Sequence, residues 1–177
     1  MSNEEHHPTK SWSLISSAMI GVTITILAIM WQFSPIGGMV TSTYLLMVAL
    51  ILFVNSTTVN EKVNYERAKG APDEVIEKWM HFAEYSFGLA FTLYISTFAI
   101  LGYKYLLNIT VLVSVPRVWA LVLPWVFLIV TWLIMGIYAA LDSRNMLKDI
   151  KRMTWLILEI IALVLINLDY LGIITIP

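Results

Sequence analysis

Three stretches of this chain, 12–33, 39–58 and 118–141, contain no Asp, Glu, Lys or Arg. Two more are nearly as apolar: 82–106, interrupted by Glu84 and Lys104, and 155–176, interrupted by Glu159 and Asp169. A helix needs about 20 mainly apolar residues to cross a hydrocarbon layer roughly 30 Å thick, and each of the five stretches is long enough. A chain that is 59% hydrophobic and only 13% charged has more apolar surface than a soluble core of its 177 residues can hide, so lipid is the expected solvent for part of it. The sequence therefore predicts an all-α, five-transmembrane-helix bundle forming a single transmembrane domain. The leader before the first stretch is acidic and His-bearing (Glu4, Glu5, His6, His7) and lacks a basic segment, so that span is expected to stay in place as a signal anchor.

Lys and Arg placement sets the expected orientation. With five spans, Lys10, Lys62, Arg67, Lys69, Lys78, Arg144, Lys148, Lys151 and Arg152 fall on one side, leaving Lys104 and Arg117 on the other. Basic residues collect on the cytoplasmic side, so the N-terminus is expected inside and Pro177 outside, in a multi-pass protein of the cell membrane. A fifth segment that re-enters and leaves on the same side is the alternative topology. Ser34–Gly38 reads as a tight turn, because its Pro and Gly residues break the helix. On the inner side, Asn60–Lys69 suits a charged helix, Gly70 suits a cap, and Pro72-Asp73-Glu74 suits a helix start. The second and third spans are thus expected to extend into the cytoplasm as a short helical hairpin turning at Gly70–Ala71.

Composition excludes several functions. A net charge of −1 offers no basis for binding nucleic acid. Cysteine is absent, which rules out disulfides, thiolate metal sites and iron–sulfur clusters. His81 is the one histidine near a span, too few for bis-histidine haem. No phosphate-binding glycine loop, nucleophile elbow or H-E-x-x-H pattern occurs. No cofactor is expected. Trp12, Trp31, Trp79, Trp119 and Trp155 mark span ends and read as interfacial anchors.

Three sets of residues stand out. Ser13, Ser17, Gly21 and Thr25 in the first span, and Gly88, Thr92 and Ser96 in the third, recur at every fourth position. That spacing puts each set on one helix face, and small side chains let helices approach closely in lipid. Both spans run in the same direction, so the two stripes are candidates to face one another.

The second set is acidic. Glu84 and Glu159 lie a little past the interfacial Trp79 and Trp155, at a depth where a carboxylate is expected to face the bundle interior or find a partner. With His81, Asp142 and Asn55 they form a candidate cytoplasm-facing ion or proton site. The blander reading is residues snorkelling to the interface or paired with nearby Lys and Arg. His81-x-x-Glu84 alone is too short a pattern to name a metal. The third set is a candidate structural ion pair, Lys104 with Asp169, at matching depth on the outer side. Two function classes follow: a non-catalytic integral subunit of a larger membrane complex, or a small oligomeric cation or proton channel or transporter using the acidic cluster. The expected partners are the lipid bilayer and other membrane subunits or further copies of the chain.

Overall fold

The computed structural model describes residues 8–33, 37–114, 116–141 and 150–177. The described residues are all-α, with five helices and no strand: α1 (Pro8–Gln32), α2 (Met39–Ala68), α3 (Asp73–Val113), α4 (Val118–Leu141) and α5 (Ile150–Tyr170). Length and composition single out three of them, α1 over Ser13–Gln32, α2 and α3, as able to cross a membrane. That is compatible with a membrane location. Many large apolar side chains face outward, including Leu14, Ile51, Leu133, Ile134 and Ile161, an exposure soluble monomers rarely sustain over contiguous surface.

Local chemistry sets the helix ends. Gly38 precedes α2 at φ 85°, and its carbonyl accepts the Ser42 N–H at 3.0 Å. Gly70, at φ 74°, turns the chain between α2 and α3. The Lys69 N–H reaches back to Tyr65 and Glu66, and the Gly70 N–H to Arg67, satisfying carbonyls a helix end leaves unpaired. Pro72 opens the next helix, and Asp73 and Glu74 occupy its positive first turn. At 30 and 41 residues, α2 and α3 are about 45 and 60 Å long. Both exceed a membrane thickness and continue as a hairpin beyond their apolar stretches. Ser114, in the left-handed region at φ 56°, ends α3.

The core lies along α3, which packs against α2, α4 and α5, while α1 packs along α2. Small residues sit where helices meet closely: Ala49 and Ala90 between α2 and α3, and Ala99 and Ala120 in the cluster around Tyr103 and Ile166. Phe53 meets Phe87 and Tyr94 edge to face, a favoured aromatic geometry. Pro124 stands inside α4 and is fully buried. After α5, residues 171–177 fold back on the bundle and bury Ile176 in the same cluster as Tyr103.

The α1 stripe is placed differently from its sequence expectation. Ser17, Gly21 and Thr25 are exposed, and the buried face is Ser16, Thr23, Leu27 and Met30. α1 packs along α2, and the face it buries there brings Ser16 beside Ser56 of α2. Thr25 satisfies its hydroxyl on the Gly21 carbonyl at 2.9 Å, so it needs no partner from another helix. Ser13 donates to Glu61 at 3.0 Å.

Candidate functional site

The densest polar contact in the described residues lies where α3, α5 and the C-terminal segment meet. Asp169, on the last turn of α5, has a side chain only 4% exposed. Lys104 Nζ donates to its Oδ1 at 2.7 Å, and the Tyr103 hydroxyl donates to its Oδ2 at 2.7 Å. The backbone N–H of Ile176 supplies a third bond, to Oδ1 at 2.7 Å. A carboxylate out of water is costly unless paired and hydrogen-bonded, and here both oxygens are satisfied. The stem of Lys104 runs under the α1–α2 turn, so that a Cβ on Gly38 would lie 2.9 Å from Lys104 Cγ. Glycine is therefore required there twice, for its φ and for room. The chain's last residue closes the arrangement: the Thr41 N–H, in the first turn of α2, donates to the Pro177 carbonyl at 3.0 Å.

Lys104 and Asp169 are the two residues paired by depth in the sequence. Tyr103 and the Ile176 amide were not anticipated. Tyr103 is adjacent to Lys104, and an aromatic hydroxyl beside a buried cation is a usable signal. The returning C-terminal segment left none, because an apolar tail reads the same whether it spans or folds back.

Among the described residues, the members of the inner acidic set make separate contacts. Glu159 is 2% exposed and accepts the indole N–H of Trp132 on α4. Asn55 donates to Ser86 Oγ at 2.8 Å between α2 and α3. The adjacent Ser56 donates to the Ala83 carbonyl at 3.1 Å and lies 3.4 Å from Ser16 Oγ of α1. Glu84 and His81 are on the exposed side of α3. The His81 ring stands 3.5 Å from Glu84 and 3.4 Å from Glu77, with all three side chains at least half exposed. Asp142 lies outside the described residues. Among the described residues, no group of three or more acidic or His side chains is arranged to hold a metal ion.

The α3 stripe, Gly88, Thr92 and Ser96, is buried. Gly88 lies under the Trp155 indole, and a Cβ there would run into the ring. Thr92 bonds the Gly88 carbonyl at 3.0 Å. Ser96 Oγ and Trp155 Nε1 are buried without a hydrogen-bond partner among the described residues. Trp132, absent from the sequence-level candidates, was findable. The four-residue step from Trp132 back to Leu128 matches that from Glu159 on to Leu163, which shares a core cluster with Leu128, and this is the register of an antiparallel pair. Asn55 and Ser86 lie about equally far either side of Gly70 and follow the same rule.

The arrangement is a set of helix-to-helix polar ties, each closing on a partner. The chain matches no protein-family model, and no curated protein or solved structure proved similar to it.

Proposed function

We propose that this chain is a five-span integral membrane protein, N-terminus inside and C-terminus outside, that serves as a non-catalytic subunit of a larger membrane assembly. One observation carries the reading. Among the described residues, the buried lysine and carboxylates are held in ties between helices, Lys104 and Tyr103 with Asp169 and Trp132 with Glu159, and Asn55 is tied to Ser86. Buried groups spent this way hold the helices in register. The exposed small-residue face of α1 (Ser17, Gly21, Thr25) supports association with a further membrane helix, since small residues permit close approach in lipid.

A channel or transporter reading is favoured by one feature, the carboxyl of Glu159 held 2% exposed between α4 and α5. Intramembrane ionisable residues commonly mark ion or proton pathways. Gentle extraction followed by native mass measurement, paired with proteoliposome flux, tests the two readings together. The subunit reading expects unrelated chains in fixed ratio and no flux from purified protein. Flux from the purified chain that Glu159→Gln abolishes would overturn it in favour of transport.

A further inference from the structure

An apolar groove of about 830 Å³ opens between α1, α3 and α4, toward the ends of these helices that the membrane reading places in the outer half of the bilayer. Its walls are Met30 of α1, Phe33 just after that helix, and Leu123 and Phe127 of α4, and its floor is α3 around Phe98 and Gly102. The groove exists because α1 packs along α2 while α4 packs on α3 and α5, leaving a strip of α3 uncovered. Phe98 is 40% exposed and Tyr105 59% exposed on that strip. Gly102 deepens the floor, since any Cβ there would meet Leu123 Cδ2 at 2.5 Å.

We propose that this groove binds one hydrocarbon chain of an outer-leaflet lipid, an inference that rests on the membrane reading above. Among the described residues that line it none is charged, and the Tyr105 hydroxyl is their single side-chain oxygen or nitrogen. Water needs two to four polar partners to be held in such a space, so it is excluded. A single acyl or isoprenoid chain is thin enough to enter sideways, and the volume lies within the range of about 300–1,000 Å³ typical of small-molecule sites. Arg117, exposed at the outer start of α4, stands about 9 Å of helix rise before Leu123. That is the level where a lipid seated in the groove carries its phosphate.

The test uses the full chain in vesicles of phosphatidylcholine and phosphatidylglycerol, with a photoreactive benzophenone amino acid placed at position 98 or, as a reference, at position 161. Ile161 is exposed on α5 away from the groove. Intact mass then reads the adducts. The proposal expects a one-lipid adduct at position 98 severalfold above that at 161, and its loss when the groove is filled by Ile29→Trp or Gly102→Phe. Ile29 is a rim residue 48% exposed, so its replacement keeps the test valid if the Gly102 variant does not fold. Equal lipid yields at the two positions retain the membrane reading and overturn the groove site. A polypeptide adduct at 98 overturns it in favour of a protein occupant. Absence of lipid adducts at both positions overturns the membrane reading and the groove with it.

Discussion

At Asp169, three donors from two distant parts of the chain converge on one carboxylate. Breaking one partner of a buried ion pair costs about 3–5 kcal/mol, because the other charge is left uncompensated. Asp169→Leu is therefore expected to destabilise the protein by that order in denaturant titration in bicelles. The double change Lys104→Met with Asp169→Leu should cost less than the two single changes added together, and strict additivity would show that the pair is not coupled. Glycine provides a second contrast at this scale. Gly88→Ala drives a Cβ into the Trp155 ring and should cost about 1–3 kcal/mol, as overpacking does. Gly21→Ala meets nothing within 4 Å and should be neutral or stabilising by about 0.5–1 kcal/mol, since Ala replaces Gly inside a helix. Both glycines belong to stripes with identical spacing, and thermal midpoints of the two variants separate their roles. Equal midpoints would remove the argument for Trp155 as the packing partner of Gly88.

Elements are tied mainly in sequential pairs, and the antiparallel register follows from where the chain turns. The turn at Gly70 was readable because glycine, proline and two acids occur in the order that ends one helix and starts another. Once the turn is placed, Asn55 opposite Ser86 and Lys62 beside Trp79, with its ammonium 3.8 Å from the ring centroid, follow from equal spacing. The exception is the C-terminal segment, which belongs to no helix. Deleting residues 174–177 removes the Ile176 amide from Asp169 and the Pro177 carbonyl from Thr41. A hydrogen bond to a charged group is worth about 1.5–3 kcal/mol, so the truncated chain should unfold at lower denaturant by at least that amount. An unchanged midpoint would mean that the segment is an ornament on a bundle already complete.

For the whole molecule, the absence of cysteine makes orientation directly testable. Single cysteines at Lys69→Cys and Arg117→Cys should be labelled by an impermeant maleimide from opposite sides of the membrane, with the Lys69 site reached only from the cytoplasm. Labelling of both from one side would remove the five-span topology. The distribution of Lys and Arg supports the orientation through a rule of membrane insertion, independent of how the helices pack.

Helical character, the long apolar stretches and the α2–α3 turn were determined by sequence alone, because each depends on local composition: apolar run length, and the φ preferences of Gly and Pro. Depth along a helix is also local, and it brought Lys104 and Asp169 into consideration as a pair. Which face of each helix turns inward was decided by tertiary structure. The Ser17, Gly21 and Thr25 face of α1 is exposed while the matching face of α3 is buried, with Gly88 under Trp155. In a chain this apolar, every face of a helix is hydrophobic enough to be buried or to meet lipid, so periodicity cannot choose between them. Glu84 and Glu159 differ for the same reason. Equivalent in sequence depth, one stands half exposed beside His81 and the other is enclosed against α4 by Trp132.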